Sequence, residues 1–201
     1  MMWTLKIDML GDWHIGAGRE GGAYADALVI KDSNGLPYLP GRSLRGVLKQ
    51  AFTEAAQSGW FGDSSTAYVD LLFGREGTDG ATAQGLLRVS NAELSDAEKQ
   101  AIVQQPSLRQ FLFSTRASTA IDSDTGTAKN GSLRTLEVAV PMQLSAAIEL
   151  NTQHAKFKEL PFNQAELAQL LDACTALISE LGGHRQRGLG RCKIRVEGAA
   201  A

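Results

Sequence analysis

Cysteine is scarce in this chain, and the two that occur, Cys174 and Cys192, have no CxxC spacing. A disulfide framework and a cysteine-built metal site are therefore not expected, and both side chains read as reduced thiols. Histidine is equally sparse: His14, His154 and His184 lie far apart and show no metal-ligand spacing. No apolar run approaches the roughly 20 residues that a membrane span requires. The first ten residues, MMWTLKIDML, are too short and too polar for a secretory leader, so a cytoplasmic setting without a membrane partner is expected. Excess positive charge is missing too, since the formal net charge is −2. That excludes a generally cationic surface, but a local basic patch is enough to hold phosphates. No linker, repeat or low-complexity tract divides the 201 residues, which read as a single domain over 1–201.

Glycine, by contrast, is plentiful at 21 residues. Residues Trp3 to Leu10 alternate apolar and polar, the pattern of a half-buried strand with Trp3, Leu5, Ile7 and Met9 on one side. Gly11 to Gly22 forms a loop with five glycines. A short apolar strand is expected over Ala27 to Lys31, then a turn at Asp32-Ser33-Asn34-Gly35 and an extended Leu36 to Pro40. Helical spacing of Leu44, Val47, Leu48, Ala51 and Phe52 predicts a helix from about Gly41 to Ser58, closed by Gly59. A short helix is expected near Ala67 to Phe73, a flexible loop over Gly74 to Gly85, and a strand over Gly85 to Asn91. Asp96 to Gln105 reads as another short helix or an excursion, and Leu112 to Ala117 as a strand.

Ser118 to Ser132 is rich in Thr, Ser, Asp, Gly and Ala, which suits a mobile loop or projecting hairpin. Leu133 to Leu150 reads as strand broken at Pro141. An amphipathic helix is expected over Gln164 to Leu181 and a last strand over Cys192 to Val196. The order is βαββαβ with an insertion, so the fold class is α+β, with a ferredoxin-like or RRM-like core and a hairpin over 115–135.

Three places concentrate chemistry. Arg42, Arg45 and Lys49 stand at i, i+3 and i+7 on the helix that opens at Gly41 and Ser43, opposite its apolar stripe. Free N–H groups at that N-terminus would suit a phosphate, and Gly41 and Gly46 would admit a nucleic-acid backbone. Gly182 to Arg191 holds four glycines and three arginines, with Gly183, His184, Arg185, Arg187 and Gly188 as candidate phosphate contacts. The two clusters are expected to converge on one basic groove. Asp26 follows a glycine-rich loop and could hold a divalent metal or act on a ribose hydroxyl, or simply sit solvated in the loop. His14 could serve as a general base or be a structural loop residue.

Several segments in order resemble the CRISPR-associated RAMP family. Trp13 to Gly18, Asp26 to Asp32 and Gly35 to Gly46 resemble its opening, and Leu72-Phe73-Gly74 a later element. Thr115-Arg116, Ile121-Asp122 and Thr125 to Ala128, ahead of Leu133 and Glu137, resemble its thumb hairpin. Gly182 to Gly190 resembles its C-terminal glycine-rich loop. The likeness is greatest to the repeated backbone subunit of type III effector complexes. It implies a guide-RNA-binding subunit whose Asp26, with Mg2+ or Mn2+, cleaves guide-paired target RNA, with other CRISPR effector subunits as partners. Two alternatives stay open: a structural RNA-binding subunit with an idle Asp26, and a metal-independent guide-processing ribonuclease using His14.

Overall fold

A computed structural model of the chain describes residues 1–22, 24–62, 65–75 and 84–198. In order, the elements are β1 (Met2–Met9), α1 (Gly41–Gln57), α2 (Ser65–Phe73), β2 (Leu87–Val89) and α3 (Asp96–Gln104). There follow β3 (Phe113–Ser118), β4 (Arg134–Ala139), β5 (Gln143–Leu150), α4 (Gln164–Thr175) and β6 (Cys192–Glu197). The fold is α+β with antiparallel sheets. The main sheet has strand order β2-β5-β1-β6, and β3 pairs with β4 in a second, two-stranded sheet.

The alternation in β1 decides which way the main sheet faces. Trp3, Leu5, Ile7 and Met9 are buried and meet the apolar stripe of α1, formed by Leu44, Leu48, Ala51, Phe52 and Ala55. Helix α1 packs against α2, β2 and α4, and α4 packs against β6 through Leu167, Leu171 and Cys174. The opposite face of the sheet is polar. Lys6 donates to Ser145, while Gln143 and Arg195 both donate to Asp8. Trp3 is the one aromatic residue in the four strands, and it is buried. This sheet therefore offers no aromatic platform for stacking bases.

Both cysteines are free and buried, and burial pushes each thiol up to about 12. No helix among the described residues is long and apolar enough to cross a membrane.

Two elements depart from the sequence expectation. Ala27 to Lys31 is extended, but it makes isolated bridges to Gly16, Pro37 and Leu136 instead of a ladder with one partner strand. The reason is local: the Val29 N–H donates to the buried Glu137 carboxylate, and the Ile30 N–H to the Ile15 carbonyl. Helix α4 ends at Thr175 and not at Leu181. Beyond it the chain is drawn into backbone bonds, Leu181 N–H to Gly190 O and Cys192 N–H to Ser179 O, which no helix could make. Of the loop expected over Gly74 to Gly85, residues 76–83 lie outside the described residues.

A candidate nucleic-acid interface around Asp26

The segment after β1 is tied to β4. Trp13 and Ala139 exchange backbone hydrogen bonds, and the buried Trp13 indole donates to Val140 O at 3.2 Å. This places His14 against Glu137, with its Nδ1 2.7 Å from the Glu137 carbonyl. A carbonyl only accepts, so Nδ1 carries the proton. His14 is 4% exposed, and burial holds its pKa below the ordinary histidine value. The His14 carbonyl accepts the Gly183 N–H at 2.7 Å, joining β4 to the C-terminal glycine-rich loop. His14 is therefore a buried strut between β4 and the C-terminal loop.

Asp26 is exposed, and two bonds hold it to the start of β4. Its N–H donates to Thr135 O at 2.8 Å, and its Oδ2 accepts the Thr135 N–H at 2.6 Å. It lies in a cavity of about 870 Å³. The hairpin contributes Arg116 and Arg134 to the wall, and the C-terminal loop contributes His184, Arg187 and Gly188. The Arg116 guanidinium is engaged by Asp12, which also lines the cavity. Arg134 and Arg187 are exposed. Asp26 and Arg187, separated by most of the sequence, thus border one space. The sequence alone does not mark Arg116 and Arg134 as site residues. Their signal was their position at the base of the hairpin, where Arg116 faces Leu136 and Arg134 faces Ser118 across the ladder.

The C-terminal loop is shaped from within. His184 and Gly188 both adopt the left-handed conformation, bracketing a single 3₁₀ turn that carries Arg185 and Arg187. Gly190, at φ +81, sits where a β-carbon would lie 1.9 Å from the Leu181 carbonyl. Arg185, Arg187 and His184 also border a second cavity of about 540 Å³, faced by Val47, Gln50 and Glu54 of α1.

The expected single groove needs correcting at α1. Arg45 and Lys49 do not reach the C-terminal loop. Arg45 donates to the Phe73 carbonyl and Lys49 to the Gly74 carbonyl at 2.8 Å, so these two cations cap the C-terminal end of α2. At 100° per residue, positions 45 and 49 turn toward α2, while 47, 50 and 54 turn toward the loop. Nor is the α1 N-terminus open. The Gly41 N–H donates to Asn91 Oδ1 at 2.9 Å and the Ser43 N–H to Pro40 O. Gly41 itself is buried, and a β-carbon there would lie 2.3 Å from the Val89 carbonyl, so its missing side chain serves internal packing. Arg42, Ser43, Gly46 and Gln50 form the exposed strip of the helix, with open space around Gly46.

No group of three or more His, Cys, Asp or Glu suited to a metal occurs among the described residues. Asp26 fits Mg2+ or Mn2+ only in the manner of sites where one or two carboxylates hold the ion and substrate phosphates and water complete its shell.

The family model for the RAMP superfamily matches residues 6–193. A chain of the type III-B Cmr-beta complex bound to cognate target RNA aligns with a TM-score of 0.65 at 12% identity, covering 98% of this chain and 97% of that one. A chain from the apo state of Cmr-beta aligns with a TM-score of 0.66, also at 12% identity and with the same coverage. At that identity the shared property is the fold. No curated protein matches the sequence.

Proposed function

The chain belongs to the RAMP superfamily, and from that premise we propose that it is a guide-RNA-binding backbone subunit of a type III CRISPR effector that cleaves guide-paired target RNA at Asp26. The observation that carries the reading is the juxtaposition of Asp26 with Arg134 and Arg187 around one cavity. Its partners are guide RNA, target RNA and other effector subunits, in the cytoplasm. The solved relative bound to cognate target RNA shares the fold over nearly the whole chain and supports that assignment.

Residues 1–201 form one RAMP domain on this reading. Taking β1, β2, β5 and β6 as the four core strands, the sheet order is fourth-first-third-second, that of a ferredoxin-like or RRM-like core. The β3–β4 hairpin, Phe113 to Ala139, which takes in the expected 115–135, is its thumb, with Ile121 and Leu133 exposed toward the tip. The sheet face lacks stacking aromatics, so RNA is held through phosphates by Arg42, Arg185 and Arg187, and sequence is read by base pairing to the guide. Arg45 and Lys49 support this surface from behind by fixing α2 to α1.

In the reaction the ribose 2′-hydroxyl attacks the adjacent phosphorus. The exposed arginines draw the phosphate toward Asp26, whose Oδ2 is fixed by the Thr135 N–H so that the carboxylate has one orientation. Bound Mg2+ or Mn2+ would supply Lewis-acid stabilisation of the phosphoryl oxygens.

Co-expression with effector partners tests the assembly: a discrete RNA should copurify with the complex. Recovery of the same complex free of RNA would refute guide binding. In the assembled complex Arg187→Glu should weaken RNA binding for every sequence tried. It should also flatten the plot of log affinity against log salt by about one unit, the loss of one phosphate contact. Gly46→Ala separates folding from binding. A glycine inside an exposed helix costs roughly 0.5–1 kcal/mol against alanine, and nothing in the fold occupies the space of the added methyl. The variant should therefore melt higher than the parent and bind RNA less tightly. Undiminished binding would remove the exposed strip of α1 from the RNA path.

A further inference from the structure

His184 is the one non-glycine residue with a positive φ among the described residues, at φ 58 and ψ 26. A side chain in that conformation is strained, and a glycine would sit there freely. The surrounding loop uses glycine at 182, 183 and 188, so a histidine here stands against the local trend. Strain of this kind concentrates where a side chain must be aimed. His184 lines the cavity that also holds Asp26.

The ring is also positioned. It meets the His14 ring edge-on, with centroids 5.8 Å apart and planes at 61°. His14 is itself held at Nδ1 by the Glu137 carbonyl. On either side of His184 the backbone is fixed, by Gly183 N–H to His14 O and by Arg187 N–H to His184 O at 2.8 Å. The other two histidines are committed elsewhere: His14 is sealed, and His154 accepts the Lys156 N–H at the turn after β5. The remaining titratable groups around the cavity are the carboxylates Asp12, Glu20 and Asp26 and the guanidinium groups of Arg116, Arg134 and Arg187. Carboxylates are weak proton acceptors near neutral pH, and guanidinium groups accept none. An imidazole is the side chain suited to that task.

We infer that His184 is the general base of target cleavage, an assignment that rests on the cleavage reading above. A neutral ring nitrogen takes the proton of the attacking 2′-hydroxyl as the O2′–P bond forms. The P–O5′ bond breaks, and the departing O5′ takes a proton from water. The products are a 2′,3′-cyclic phosphate and a 5′-hydroxyl, with no oxidant or reductant involved.

The test is His184→Gly in the assembled effector, because glycine adopts this backbone conformation without strain and leaves room for added imidazole. The variant should melt no lower than the parent, and its cutting is compared with the parent's at equal RNA occupancy. Cutting should slow by about 10²-fold. Added imidazole should restore it saturably, with unchanged product ends, while slowing or sparing the parent and failing to rescue Asp26→Asn. If His184→Gly cuts at the parent rate, or is slow but deaf to imidazole, His184 is not the base and the role of Asp26 stands untouched. If the parent complex cuts no paired RNA with Mg2+ or Mn2+, the cleavage reading and this assignment fall together.

Discussion

Asp26→Asn is expected to reduce target cleavage by on the order of 10²- to 10³-fold or more, the scale on which one charged or proton-handling group acts in catalysis. Folding and guide binding should be preserved. The asparagine amide oxygen can still accept the Thr135 N–H that Asp26 Oδ2 accepts at 2.6 Å, and the backbone bond from residue 26 to Thr135 O is untouched. What disappears is the negative charge facing Arg134 and Arg187 across the cavity, and with it the hold on a divalent cation. The measurement is single-turnover cutting of labelled, guide-complementary RNA with Mg2+ or Mn2+, beside a chelated control. Cutting should stop in the chelator, which also separates this chemistry from a metal-independent processing enzyme. The competing reading has its own observation, because a carboxylate that caps a strand through Thr135 needs no catalytic purpose. If Asp26→Asn cuts as fast as the parent, that cap is its whole role. The chain would then be a structural RNA-binding subunit or would cut from another group.

The elements that carry their own periodicity were legible from the sequence. The alternation of β1 and the stripe of α1 each describe a surface that must be buried, whatever it is buried against. The 27–31 segment was not, because its apolar run is that of a strand while its hydrogen-bond partners come from three separate places. Gly41 and Gly46 look alike on paper as openings for a ligand. The fold divides them: one is filled by the Val89–Ser90 backbone and the other faces open space. Arg45 and Lys49 share a basic face with Arg42, yet the free carbonyls at the end of α2 claim them. That competition is a tertiary fact invisible to helical spacing. The cavity was hidden for the same reason. Asp26 and Thr135 are 109 positions apart, and only the pairing of the 26–29 segment with β4 brings the hairpin arginines to the same cavity as the carboxylate. The left-handed backbone of His184 had no sequence signal beyond its glycine-rich neighbourhood.

One buried acid reinforces that pairing of the 26–29 segment with β4, and the second large effect is expected there. Glu137 is 2% exposed, and both its oxygens are used: Oε2 accepts the Val29 N–H at 2.9 Å and Oε1 the Lys31 ammonium at 2.9 Å. The ammonium also lies 3.9 Å from the centre of the Phe113 ring. Glu137→Ala would strand the buried Val29 N–H and leave Lys31 without its counter-ion. Removing one partner of a buried pair costs about 3–5 kcal/mol, and Lys31 keeps some solvent, so a loss of roughly 2–4 kcal/mol is expected. For a chain of this size each kcal/mol lowers Tm by about 2–4 °C. Urea unfolding should show the same loss as a lower midpoint at unchanged slope. Glu137→Gln keeps an oxygen for Val29 and should cost only about 1–2 kcal/mol. Lys31→Met combined with Glu137→Gln should cost less than the sum of the two single changes, because the second removes a charge the first had already left unpaired. Strict additivity would show that the ion pair is incidental. In the effector, Glu137→Gln should slow target cutting more than it weakens RNA binding, since it loosens the segment that carries Asp26 while leaving Arg185 and Arg187 in place.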